Sequence, residues 1–421
     1  MKHIAVLALI LCACLVSTAW AQDATSHTKT HPVRRHAADY ILPSGSVRHP
    51  YLVQSDTYQN KVWELETYPG GTWASMGDVN DFGIAVAQGD LPDGSTHNLA
   101  VPLFGRHAGE WIDLGTLGGT ESGWDEGLVT ISDTGLIVGH SASTDQDRPH
   151  AFAWTEASGM VDLGTLADVG YPTYNSSYAG GVNRMGTLIV GWSGVEQSCL
   201  GCAPTLPVVW TPAVVWKNGQ WVTKWKMHKL DTAGFGMITH WFAWTANDFG
   251  QIVGEGSGDN GEFVGVLWTP LQNGKWKLIQ LPAVADYPLS EPFNINDRGE
   301  ISGDIEPADG SVWLPVFWKP LDSSRKTYSN PIVLPVPEGG FGTCYTDGIN
   351  ELGDLTGECW GDGGDQAVRW TTKDTTFTQI LGFPGDWSWS FRVNNNRIAA
   401  ITYGGDKCPA DSTCAGAIQF H

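Results

Sequence analysis

Apolar and polar positions along this chain alternate in short runs, and helical spacing is essentially absent. Stretches such as "LIVG", "QIVG" and "EISG" each follow a turn rich in Asn, Asp and Gly. Period-two alternation bounded by such residues predicts half-buried strands. The turns themselves recur: "VNDFG" (Gly83), "ISDTG" (Gly135), "VNRMG" (Gly186), "ANDFG" (Gly250), "INDRG" (Gly299) and "INELG" (Gly353). Asn and Asp bond their own backbone there, and glycine takes the left-handed conformation. A seventh copy, "VNNNR", has no glycine, so Asn396 is expected to take the left-handed place.

Two further elements keep step with the turns. One is a strand ending in an aromatic: Phe104, Trp154, Trp216, Trp268, Trp318, Trp370 and Phe420. Recurrence at one position of every unit predicts packing between units. The other is the stretch found as "WIDLGTL", "MVDLGTL", "WKMHKLDT", "WKLIQLPA", "PIVLPVPEG" and "TFTQILGFPG". Its seventh copy, "VWELETYPGG" at Val62 to Gly71, lies at the opposite end of the chain. The last unit therefore lacks a strand that the N-terminal region has to spare. This predicts an all-β fold, a seven-bladed β-propeller of four-stranded antiparallel blades, over residues 51–421. An N-terminal strand joining the C-terminal blade would close the ring and pair its edges.

"HAFAW" (His150 to Trp154), "GMVDLGTL" (Gly159 to Leu166), "DLGTLGG" (Asp113 to Gly119) and "ISDTGLIVG" resemble the extracellular HAF repeat family. The letters match best between about residues 110 and 170, while later units keep the frame and lose the spelling. The resemblance implies an exported repeat protein and carries no activity.

Residues 1–21 read as an export signal: Lys2 and His3, an apolar run, then "AWA" at Ala19 to Ala21. The rival is a lipid anchor at Cys14. Residues 22–50 read as a spacer; His27, His31 and His36 within it could bind metal, but disorder is the plainer reading. No later stretch is apolar enough to span a bilayer. A secreted or periplasmic monomer is expected. The net charge of −21 disfavours nucleic acid. Beyond the signal, six cysteines fall into neighbours Cys199/Cys202, Cys344/Cys359 and Cys408/Cys414, which predicts three disulfides. A hairpin symmetric about Asn350 to Gly353 would set Cys344 opposite Cys359.

The turns are short and uniform, whereas the loops joining one unit to the next are long and irregular. Function gathers in such loops. They carry Trp73, Trp124, Tyr178, Trp241, Phe293, Tyr345, Trp387 and Trp389, with Asp125, Glu126, Glu291 and Asp386 among them. Aromatics beside carboxylates around a ring's axis suit a glycan or other polar ligand, with rings to stack on and acceptors for hydroxyls. The bland alternative is that these rings wedge between blades. A hydrolase could use Asp78 with Asp347, or Asp125 with Glu291; a lyase could use His240 with Tyr345. No diagnostic catalytic motif appears, and a non-catalytic interaction scaffold is the third reading. No cofactor is expected. Acidic Gly-rich loops (Asp145, Asp147; Asp259, Glu262; Asp304, Asp309; Asp362, Asp365) could hold structural Ca²⁺, but none has the EF-hand spacing and solvated turns are the plainer reading.

Overall fold

The structure, a computed structural model, describes residues 52–54, 61–123, 128–145, 148–195, 204–217, 220–235, 238–258, 263–362, 364–382, 387–404, 408 and 413–420. Asn/Asp/Gly turns fold consecutive alternating strands back on each other, and seven antiparallel sheets result. Their innermost strands are Ala74–Val79, Thr130–Ile131, Ser176–Val182, Ile238–Ala246, Leu289–Ile295, Phe341–Ile349 and Trp387–Val393. The predicted seven-bladed propeller is therefore the observed architecture. In the second blade, Gly118–Ser122 and Thr130–Ile131 both pair with Ile137–Ser143.

The last blade takes its fourth strand from the other end of the chain. Lys61–Glu64 pairs antiparallel with Cys414–Gln419, with Val62 opposite Ile418. Leu52–Gln54 adds a fifth strand outside it. Trp63 and Ala417 of this blade share one buried cluster with Met76 and Val101 of the first. The core thus lies between blade faces.

The recurrent turns build a circular network. Asn80 Nδ2 donates to Ser132 O, Asn247 to Asn296 O, Asn296 to Asn350 O, Asn350 to Asn394 O, and Asn394 to Asn80 O. Beside it, the amide N–H of Asp81 donates to Asp133 Oδ1, that of Asp248 to Asp297 Oδ1, and that of Asn395 to Asp81 Oδ1. Five of the seven junctions are tied in this way. Asn183 Nδ2 donates to Asp248 Oδ1 between the third and fourth blades, and the second and third are joined by the Asp133 N–H to Arg184 O and the Arg184–Asp133 ion pair. The seventh turn departs from expectation. Arg397, not Asn396, occupies the glycine position and has φ of 59°. Its Nε donates to Asp354 Oδ2 at 2.9 Å, which offsets the strain of a side chain in that conformation.

The aromatic at the third strand is also a latch. Indole N–H groups of Trp210, Trp268, Trp318 and Trp370, all fully buried, donate to Leu163 O, Asp231 O, Pro282 O and Pro335 O of the preceding blade. In the third blade that role falls to Trp210 and not to Trp216. There the hairpin Thr205–Lys217 with Gln220–Lys229 runs far outward, and Trp216 is 60% exposed near its tip. Truncating any one latch would cost roughly 3–5 kcal/mol.

Candidate functional site

The channel has a turn end and a crossover end. At the turn end lies a cavity of about 690 Å³ including its open mouth, lined by Asp78, Asp81, Asp133, Arg184, Glu351 and Arg392 among others. Arg184 stands where five of the other six turns place an acid, the seventh blade having Asn395. Its Nη1 lies 3.1 Å from Asp81 and 3.4 Å from Asp133, and its Nε lies 3.9 Å from Asp248. Burial raises Asp133 to about 6 and Glu351 to about 7, against the pull of Arg184. Asp78 accepts the N–H groups of Val79 and Ile131, so it acts as a strut between the first two blades.

Farther in, the inner strands break register. The second strand has no partner for Gly77, Gly180, Trp244, Phe293, Asp347 or the pair Phe391–Arg392, each lying at a β-bulge. Bulges of this kind re-aim side chains. A Cβ at Gly77 would fall 2.3 Å from Val129 O and one at Gly180 2.7 Å from Ala243 O, so the adjoining blade dictates glycine there. In blades four to seven the bulge instead carries a larger side chain: Trp244, Phe293, Asp347, and Phe391 with Arg392. Arg392 Nη1 donates to Asp347 O at 3.3 Å, and its charge pulls down both Asp347 and Asp78. Burial still raises Asp347 to about 8.

Toward the crossover end the aromatics form a continuous lane. Tyr178 stacks on Trp192 at 5.5 Å, and Trp192 meets both Phe242 and Trp244. Trp244 leads to Phe293 at 6.3 Å, Phe293 to Tyr345 at 6.2 Å, Tyr345 to Trp360 at 5.4 Å, and Trp360 to Trp313 at 4.8 Å. Trp244, Tyr345, Trp360 and Trp313 are half-buried, and they are the open part of the lane. Trp387 stacks on Trp389 at 4.6 Å in the seventh blade.

Carboxylates follow the lane. Tyr345 Oη donates to Glu358 Oε2 at 2.9 Å. Burial raises Glu358 to about 8 and pushes the Tyr345 hydroxyl well above its ordinary range. Glu291, Asp304 and Glu306 each bring an oxygen within 4.8 Å of the others, all buried. Burial raises all three, and their mutual repulsion raises Glu291 and Asp304 further. Asp304 Oδ2, both oxygens of Glu306, and Oε2 of the nearby Glu255 have no hydrogen-bond partner. The indoles of Trp244 and Trp313 are near Glu255 and Glu306 without reaching good hydrogen-bond geometry. Among the described residues, Glu291, Asp304 and Glu306 are the group that could hold a metal.

Several expected site residues are placed differently. Trp241 is 2% exposed and packs against Phe235 and Trp268 between blades, so it is core. Phe242 and Trp244, stacked at 5.5 Å, hold the place expected of it. Tyr178 and Phe293 are in the lane but buried, and Trp73 is half-buried at the first blade's entry. His240 is buried beside Thr239 Oγ1 at 3.0 Å, while Tyr345 bonds Glu358; the structure shows no direct pairing of the two. Glu291 joins Asp304 and Glu306, and Asp304 stands on a strand, Ile301–Glu306, not in a loop. Asp145, Asp309, Asp362 and Asp365 are exposed. Trp124, Asp125, Glu126, Asp147, Asp259, Glu262, Asp386, Cys199 and Cys202 lie outside the described residues, as do His27, His31 and His36. Trp192, Trp313, Trp360, Glu255, Glu306 and Glu358 were missed because they lie on second strands or their exits. Only their breach of apolar alternation could have marked them.

Cys344 pairs directly opposite Cys359 in the register, and the two form a disulfide with Cα atoms 4.1 Å apart. Cys408 and Cys414 form another. Both lie toward the crossover end and belong to an oxidising environment. Among the described residues no helix is long and apolar enough to cross a membrane.

No family model matches the chain, and no curated protein matches it. Among solved structures it is similar to a sialidase from Trypanosoma rangeli in complex with 2,3-difluorosialic acid, at 11% identity and a TM-score of 0.39. That match covers 84% of this chain and 54% of the sialidase, so the chain spans about half the length of that enzyme. It is also similar to an Aleuria aurantia lectin variant in complex with alpha-methyl-L-fucoside, at 12% identity and a TM-score of 0.32, covering 77% of this chain and 99% of the lectin.

Proposed function

We propose that this propeller is a binding module for a glycan or similar polar, ring-shaped ligand, held on the half-buried part of the aromatic lane. The observation that carries the reading is the run Trp244, Phe293, Tyr345, Trp360 and Trp313, set beside the half-buried carboxylate of Glu358. Indole faces take the apolar face of a pyranose, and carboxylates accept from its hydroxyls. The two disulfides, which point to an oxidising compartment, agree with an extracellular ligand. Glycan-array screening followed by calorimetry tests the reading. Trp360→Ala is expected to weaken binding about tenfold, near 1.4 kcal/mol. No saccharide binding, or affinity untouched by Trp360→Ala and Trp313→Ala together, overturns it.

Hydrolysis is the second reading, favoured by one observation. The Tyr345 hydroxyl and the Glu358 carboxyl form a hydrogen-bonded pair in the lane. A hydroxyl beside a carboxylate is the arrangement of an activated nucleophile. The burial that raises both groups works against activation at neutral pH. Reducing-sugar release from a polysaccharide panel, lost in Tyr345→Phe while binding persists, would select it over simple binding.

A further inference from the structure

We propose that Glu291, Asp304 and Glu306 form a calcium site, with the buried Glu255 of the adjoining blade near it. The three ligand oxygens lie within 4.8 Å of one another. Calcium–oxygen bonds of about 2.3–2.6 Å put ligands on opposite sides of the ion at about that separation. All donors are carboxylate oxygens, which selects a hard cation and disfavours zinc or copper. The ligands stand on two hydrogen-bonded strands: Glu291 is opposite Asp304, and Glu306 is opposite Leu289. Strands position ligands more firmly than the acidic loops do.

Glu255 supplies the independent observation. It stands on another sheet, opposite Phe242, and is 2% exposed. Its Oε2 has no hydrogen-bond partner, and its charge acts on both Glu291 and Asp304. Among the described residues no Lys or Arg forms an ion pair with Glu291, Asp304 or Glu306. Asp304 and Glu306 also keep unpartnered oxygens, and Glu306 is 1% exposed. Buried carboxylates that share neither a base nor hydrogen-bond donors are costly unless protonated or bound to a cation. One ion of charge +2 would meet Glu291, Asp304 and Glu306 together and lower the repulsion that Glu255 adds. Magnesium fits less well, because it requires shorter octahedral bonds and keeps its waters.

The test uses the full chain stripped with chelator and no glycan, so its outcome is separate from that of the ligand reading. Calorimetry with CaCl₂ is expected to show one ion per chain. Terbium in its place is expected to give tryptophan-sensitised emission, through Trp313 and Trp244, that Ca²⁺ displaces. Calcium at a hundred times its Kd is expected to raise the Tm by about 3–6 °C. Glu306→Gln should raise the Tm of the chelated protein by relieving repulsion, yet lower calcium affinity at least tenfold. Asp304→Asn gives the same comparison should Glu306→Gln not fold. Absence of stoichiometric Ca²⁺ binding by the wild-type chain, or variants that bind it as the wild type does, overturns the site.

Discussion

At the turn end of the channel Asp81, Asp133 and Asp248 converge on Arg184, while toward the crossover end Glu255, Glu291, Asp304 and Glu306 converge on one another. The turn carboxylates also accept backbone N–H groups from the neighbouring blade. The inner cluster has no such donors at Asp304 Oδ2 or Glu306. Covalent ties are divided in the opposite sense, for both disulfides lie toward the crossover end. The contrast separates two uses of acidic residues. Where the fold supplies the counter-charge, acids are mortar; where it withholds one, they await something from outside.

The sharpest way to break this division is Asn394→Ala. Buried Asn394 donates to Asn80 O across the closing seam and accepts from the N–H groups of Asn396 and Ile398. Its loss should cost about 2–4 kcal/mol in denaturant unfolding. A loss below about 0.5 kcal/mol would show that the ring is ornamental. Next comes paired replacement of Cys344 and Cys359 by serine. Opening a loop spanning 15 residues should cost about 2–3 kcal/mol. Hydrogen exchange should rise near Phe341–Gly361 and leave the turn network protected; exchange rising equally at both ends would refute the division.

The smallest effect is electrostatic. With Asp133 raised to about 6 and Glu351 to about 7, the folded chain holds their protons more tightly than the unfolded chain does. Their linkage therefore makes stability decline as pH rises from about 4.5 to 7.5. Arg184→Met should steepen that decline and lower the Tm by a few degrees at pH 8, less at high salt. Equal pH slopes in the two proteins would remove Arg184 from its central role.

Much of the frame was legible because it repeats. The Asn/Asp turns, the spare strand at Val62 and the alignment of Cys344 with Cys359 depend on spacing, and spacing survives when letters drift. The site was less legible for a local reason. Alternation assigns Trp241 and Trp244 to opposite faces, and choosing between them needs the position of the bulge between Ala243 and Thr245. That bulge places Trp241 in the core and leaves Trp244 for the lane. The acid cluster was hidden differently. Glu291 and Glu306 meet through the pairing of two strands of one blade, and Glu255 approaches them only when the neighbouring blade packs. Trp216 misled because the third blade's hairpin is long enough to carry a second "VVW" beyond Trp210.

The four residues Lys61–Glu64 have a mechanical meaning as well. Every other strand of this ring is delivered by a continuous chain, but here two distant stretches merely zip together. A protease cut in a loop between blades would leave two fragments still clasped by this strand pairing, whereas peeling this short strand would unbuckle the belt.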